Sequence, residues 1–253
     1  WGDGVYRSAD GGRTWRNMGL KESGHIGMIA VHPDDSDVVY VAAQGPLWSP
    51  GGDRGLYRTT DGGLNWERIL HVDEHTGVNE VHFDPRDPGV MYASTWQRRR
   101  RVWTMINGGP GSGIWKSTDG GESWTELTRG LPRGDKGKIG LDVSPANPDV
   151  VYAIVEAKDG QTGFFRSTDR GASWRRMSNY TSSAPFYYHE IICDPYEVDR
   201  VYMMDTFTNV TEDGGATWRR VHPRNVHVDS HAFWIDPDDT RHMLMGNDGG
   251  MYE

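Results

Sequence analysis

The sequence predicts an all-β fold, a β-propeller of four-stranded antiparallel blades, and three observations carry that prediction. One motif recurs five times at intervals of roughly 44–58 residues, the period of a propeller blade. Its copies are Ser8-Ala-Asp10-Gly-Gly-Arg-Thr-Trp15, Thr59-Thr-Asp61-Gly-Gly-Leu-Asn-Trp66, Ser117-Thr-Asp119-Gly-Gly-Glu-Ser-Trp124, Ser167-Thr-Asp169-Arg-Gly-Ala-Ser-Trp174 and Thr211-Glu-Asp213-Gly-Gly-Ala-Thr-Trp218. A sixth copy is expected to start at Asn247-Asp248-Gly249-Gly250. Between copies lies a second motif, an alternating strand, a Pro/Asp turn and a strand rich in Val and Tyr, as in Ile29-Ala-Val31-His-Pro33 before Val38-Val-Tyr40-Val-Ala42. The composition agrees: 33 Gly and 11 Trp suit many tight turns, each pinned by a large ring.

Each element of the repeat has its own reason. The Pro/Asp-linked pair supplies strands one and two. The run typified by Gly55-Leu-Tyr57-Arg-Thr59 is strand three, and the Trp-led segment Trp66-Glu-Arg-Ile-Leu70 is strand four. The aspartate motif joins strands three and four, where glycines supply positive φ and the carboxylate accepts turn N–H groups. Asp10, Asp61, Asp119, Asp169 and Asp213, with Trp15, Trp66, Trp124, Trp174 and Trp218, therefore read as structural staples. The chain divides into a partial blade at 1–20, blades at about 21–71, 72–131, 132–179 and 180–223, and a partial blade at 224–253. It reads as one β-propeller segment, an excerpt of a seven- or eight-bladed or tandem propeller.

Charge excludes some partners. Lys and Arg number 27 against 36 Asp and Glu, a net charge of −9, which disfavours nucleic acid and anionic membrane surfaces. Mean hydropathy is −0.70, with no apolar run long enough for membrane insertion. The single Cys193 excludes an internal disulfide framework.

With these motifs in place, the chain resembles the BNR or Asp-box repeat family. That family includes sialidases, xyloglucanase-type glycoside hydrolases, sortilin-type receptors and photosystem assembly propellers. The likeness extends to the long bacterial proteins described as sortilin-like or glycosyl hydrolase BNR proteins, through stretches such as Val41-Ala-Ala-Gln-Gly-Pro-Leu-Trp48 and His227-Val-Asp-Ser-His231. The resemblance implies a periplasmic or secreted bacterial protein. The sialidase Arg-Ile-Pro signature occurs nowhere in the chain.

In a propeller the lead-ins to the first strands and the loops joining strands two and three share one face. That rule gathers a ligand-binding face of His25, His75, Tyr187, Tyr188, His189, Trp48, Trp96, Arg98, Arg99 and Trp103. Trp48, Trp96, Trp103 and the Tyr187-Tyr188 pair read as sugar-stacking platforms, and the run Arg98 to Arg101 as an anion or carboxylated-sugar contact. His227, Asp229 and His231, two apart on a strand, could share one side and hold a divalent metal. Asp229, Glu190, Glu74 and Glu80 are the candidate catalytic carboxylates. The expected role is a binding or scaffold module for a protein, peptide or glycan partner, within a larger extracytoplasmic complex. The alternative is a glycoside hydrolase of the non-sialidase type, with two facing carboxylates.

Overall fold

Valine- and tyrosine-rich segments separated by Gly-Asp turns pair as antiparallel hairpins. In the computed structural model, which describes residues 2–253, they build five blades, and no α-helix occurs among these residues. The chain falls into two compact units: residues 1–83 with 87–126, and residues 84–86 with 127–253.

Unit 1 opens with a hairpin of β1 (Tyr6–Arg7) and β2 (Arg16–Asn17), strands three and four of an incomplete blade. A four-stranded sheet follows, β3 (Ile26–His32), β4 (Asp35–Ala43), β5 (Gly55–Thr59) and β6 (Glu67–Leu70), in that order. The next sheet holds β7 (Thr76–Asp84), β8 (Asp87–Gln97), β11 (Gly113–Ser117) and β12 (Thr125–Leu127). Its long second-to-third connection carries an extra hairpin, β9 (Arg99–Arg101) with β10 (Thr104–Ile106). Unit 2 contains the sheet β13 (Lys136–Val143), β14 (Val151–Ala157), β15 (Gly163–Ser167), β16 (Arg175–Ser178), and the sheet β17 (Ile191–Cys193), β18 (Val201–Met203), β19 (Asn209–Thr211), β20 (Arg219–Arg220). A three-stranded sheet of β21 (Ser230–Ile235), β22 (Met243–Asn247) and β23 (Gly250–Tyr252) completes it.

Second strands are buried on both faces, as residues sandwiched between blades must be: Val41, Met91, Val151, Ile154 and Val201 have no exposed surface. Fourth strands are largely exposed. Between neighbouring blades the apolar side chains merge into shared cores. In unit 1, Tyr40 and Leu56 of one blade pack with Val78, Met91 and the indole of Trp124 from the next. In unit 2, Tyr152 and Phe164 pack with Ile191, Val201 and Trp218. Each motif tryptophan of this kind seals the seam to the preceding blade.

The aspartate motif is a closed circuit of local hydrogen bonds. In the copy at Asp119, Oδ1 accepts the Ser123 N–H at 2.9 Å and Oδ2 the Ser123 hydroxyl at 2.5 Å. The Ser117 hydroxyl donates to Oδ1 at 2.8 Å and accepts the Gly121 N–H at 2.9 Å. The circuit repeats at Asp10, Asp61, Asp169 and Asp213. The hydrogen bonds from the residue four ahead hold the carboxyls of Asp10, Asp61, Asp119 and Asp213 down at about 2. The fourth copy puts Arg170 where the others have glycine, at φ +58°. Its guanidinium reaches the fully buried Asp84 at 3.0 Å, a carboxylate that Arg86 also holds at 3.1 Å.

Two expectations need correction. Asn247-Asp248-Gly249-Gly250 is no sixth copy: Asp248 and Gly249 form the two-residue turn between β22 and β23, with Asn247 paired to Gly250. Trp15 is 61% exposed and so caps no core, although its Nε1 still donates to the Gly12 carbonyl at 3.0 Å.

Candidate functional site

In unit 2 the lead-ins to β13, β17 and β21 and the loop after β18 join through polar contacts. Lys138, nearly buried on β13, donates Nζ to the Tyr188 carbonyl at 2.7 Å and to Glu190 Oε1 at 2.6 Å. Its backbone N–H donates to Glu156 Oε2 at 3.2 Å. Gly137 makes room for that carboxyl, since a Cβ there would sit 2.0 Å from Glu156 Oε2. Burial raises the Glu156 carboxyl above its ordinary value, and the single backbone N–H only partly offsets it. Two carboxyls thus stand in different surroundings, Glu190 against an ammonium and Glu156 desolvated with a single backbone N–H. The Tyr188 hydroxyl donates to Asp229 and accepts from Thr206 at 3.3 Å. Burial, then that contact with Asp229, pushes the Tyr188 phenol up to about 12.

The backbone here is unusual. Among the described residues five non-glycine residues have positive φ, and two of them, His189 at +100° and Asp229 at +66°, lie in this cluster. Close packing enforces the first, because the His189 carbonyl rests against Gly140, where a Cβ would come within 1.7 Å. Asp205 organises the loop below, accepting the N–H groups of Ser183 at 3.0 Å and Thr206 at 2.7 Å. Its carbonyl accepts the Ser230 N–H at 3.1 Å, tying the loop to β21.

The predicted residues fare unequally. Tyr187 is 48% exposed, with its ring edge-on to His231 at 4.7 Å, and stands beside Asp229's partner Tyr188 as an open aromatic surface. His189 is not on a ligand face: it is fully buried, Nδ1 meets the Ser182 hydroxyl at 2.8 Å, and burial holds the ring well below its ordinary value. The expected metal set does not converge. His227 Nδ1 lies 2.8 Å from the Val228 carbonyl, Asp229 is taken by Tyr188, and His231 stacks on Tyr188 and faces Asp248 at 3.8 Å. Among the described residues no group of three or more His, Cys, Asp or Glu is arranged to hold a metal ion. The positive φ at Asp229 breaks the strand alternation that would have aligned the three.

In unit 1, Trp96 is 2% exposed and offers no stacking face. Its Nε1 donates to the Asn107 carbonyl, and the Arg98 guanidinium covers its ring at 4.5 Å. Trp48 and Trp103 are exposed. Glu80 is buried beside Asn79, whose Nδ2 donates to it at 3.0 Å, and His82 at 3.5 Å. Glu74 is exposed, 3.5 Å from His75. His25 Nδ1 lies 3.3 Å from the Gly45 carbonyl. Arg99 lies on the β9 hairpin.

A cavity of about 320 Å³ lies between the blades of unit 2, with Tyr202, Val210, Phe233 and Met245 as apolar lining and Arg200 and Glu212 as charged lining; none of Glu156, Glu190 and Asp229 lines it.

The Sortilin-Vps10 family model (sortilin, neurotensin receptor 3) matches residues 3–135 and 56–206. A xyloglucanase of Hypocrea jecorina is 26% identical over 221 residues, 81% of this chain and 24% of that enzyme. A Paenibacillus xyloglucanase is 26% identical over 68% of this chain and 19% of its own length. The human VPS10 domain-containing receptor SorCS2 is 29% identical over 67% of this chain and 14% of its length. The chain thus spans a quarter or less of these relatives. Among solved structures, an ancestral GH74 enzyme superposes with a TM-score of 0.69 at 19% identity, covering 97% of this chain and 32% of that one. The GH74 xyloglucanase of Xanthomonas campestris gives 0.61 at 13%, covering 98% and 53%. YCF48 bound to D1 peptide gives 0.53 at 17%, covering 90% and 64%. At these identities the structural likeness concerns the fold, a β-propeller. Repeat, fold and family model agree, and the chain belongs to the Sortilin-Vps10 family.

Proposed function

We propose that this chain is part of an extracytoplasmic glycoside hydrolase of the non-sialidase type, acting on a β-glucan of the xyloglucan kind. The sequence by itself puts a binding module first. The similarity to xyloglucanases moves the weight to hydrolysis, and one observation in unit 2 supports it: carboxyls held in contrasting environments within one connected cluster. Glycoside hydrolysis needs one carboxyl that keeps a proton for the leaving oxygen and another that stays ionised. Glu156, raised by burial, suits the proton donor. Asp229, aimed by the Tyr188 hydroxyl and flanked by the open ring of Tyr187, suits the second carboxyl of the pair. Glu190 acts through Lys138, fixing the ammonium that positions both β13 and the Tyr188 carbonyl.

The test is release of reducing ends from xyloglucan oligosaccharides by the full-length protein. Glu156→Gln and Asp229→Asn should each lower kcat/KM by at least about a hundredfold while leaving the melting profile intact. Because Glu156 is raised, activity should decline as pH rises through its folded value, and Glu156→Gln should abolish that limb. No turnover by wild-type protein, or full activity in both variants, defeats the proposal.

A further inference from the structure

We propose that unit 1 carries a second site, a receptor for the carboxylate of an acidic sugar, formed by Arg98 and Arg100 with Trp48 as the platform for the sugar ring. In a chain of net charge −9, guanidiniums without an acidic partner are unexpected. Yet Arg98 has no carboxylate in ion-pair contact among the described residues. It lies on the buried Trp96 ring at 4.5 Å and donates to Gln44 Oε1 at 2.9 Å. Gln44 is itself oriented by donating Nε2 to Asn79 Oδ1 at 2.7 Å, so its oxygen is fixed toward Arg98. Burial, then the charges of Arg54 and Arg100, drag the Arg98 guanidinium down to about 10. A half-buried cation amid like charges is costly unless an anion completes it.

The neighbourhood is built and rigid. Arg54, 1% exposed, spends its fork on the carbonyls of Gln44, Pro46 and Ser49, and Asp73 is the acidic group it senses. That fastens the segment on both sides of Trp48. Leu47 is pinned as well, its carbonyl accepting the Arg100 N–H at 2.8 Å, which brings the β9 hairpin against the same segment. The buried Nε atoms of Arg54 and Arg99 have no hydrogen-bond partner. Burial first, and the charges of Arg98 and Arg54 after it, hold the adjacent His25 below its ordinary value despite its contact with the Gly45 carbonyl. Trp48 keeps 44% of its surface open. A planar guanidinium fork matches a carboxylate, and the open indole of Trp48, next in sequence to the Leu47 that the β9 hairpin holds, offers a platform for the C–H face of a pyranose, so a hexuronate satisfies both.

The experiment compares two disaccharides differing only at C6 of one ring, cellobiouronic acid and cellobiose, by calorimetric titration of the full-length protein. The uronate should bind at least about tenfold more tightly at low salt, with the preference shrinking as salt rises. Arg98→Gln should erase the preference, and Trp48→Ala, checked for an unchanged melt, should weaken both sugars. Equal affinities, undetectable uronate binding, or a preference that survives Arg98→Gln in a protein with an unchanged melt overturns the proposal. The measurement is of binding alone, so its failure leaves the hydrolase reading standing, and loss of hydrolysis leaves this site standing.

Discussion

Five tryptophans close five copies of one motif, but the packing assigns them different weights, and Trp66 and Trp15 of unit 1 make the sharpest comparison. Trp66 is half-buried against Val5, Leu20, Val41 and Tyr57, and its Nε1 donates to the Met18 carbonyl at 2.7 Å. Truncating an aromatic ring in such a seam costs about 3 kcal/mol, the low end of the usual range because the ring is only partly enclosed. The orphaned Met18 carbonyl adds about 1 kcal/mol. Trp15 keeps 61% of its surface exposed and its indole bond stays within its own turn. Its loss costs under about 1 kcal/mol. For a unit of this size, Trp66→Ala should lower the melting midpoint by roughly 10–20 °C and Trp15→Ala by less than about 4 °C. Far-UV circular dichroism during heating reads both, and the two sites report on the same unit. Equal shifts, or a larger one at Trp15, would show that the motif tryptophans work through their turns and that the seam is irrelevant.

Two further outcomes follow from the same geometry. The carboxyls of Asp10, Asp61, Asp119 and Asp213 are depressed from 3.8 to about 2, so they stabilise the fold above the unfolded value and lose that contribution as pH falls from about 4 toward 2. Urea midpoints should therefore hold steady from pH 6 to 4.5 and drop below pH 4; a flat profile down to pH 2 would contradict the assignment. Gly140→Ala should destabilise unit 2 by about 1–3 kcal/mol or more, because the new methyl meets the His189 carbonyl, whereas Gly160→Ala, with open space around it, should be limited to the cost of its positive φ. Denaturant unfolding of the two variants side by side checks the order.

The fold was legible because its signals are local. Asp, Gly and Trp at set offsets announce each turn, and Val-Tyr runs announce the buried second strands. The false sixth copy shows what the short pattern omits. Asp-Gly-Gly serves a two-residue hairpin as readily as the larger motif, and the distinction rests on the hydroxyl two residues before the aspartate and the donor four after it. The candidate site was legible only as a set of loops. Trp96 and His189 looked available because composition carries no burial, and both are enclosed. Asp205 was missed because its role is to tie one loop to the strand of another blade, which no spacing encodes. The same holds for the pairing of Lys138 with Glu190, 52 residues apart.

The aspartate circuits bear on how such a chain folds. Every hydrogen bond in a circuit joins residues two or four apart, so closing it requires almost no loop entropy. A turn that short can form within microseconds, bringing strands three and four together before any seam exists. Each blade that holds a circuit then carries its own nucleus, and the slow search reduces to docking preformed hairpins. A chain organised this way keeps its nuclei local, while the seam contacts between neighbouring blades, such as the Tyr40 hydroxyl on the Gly120 carbonyl 80 residues away, form afterwards.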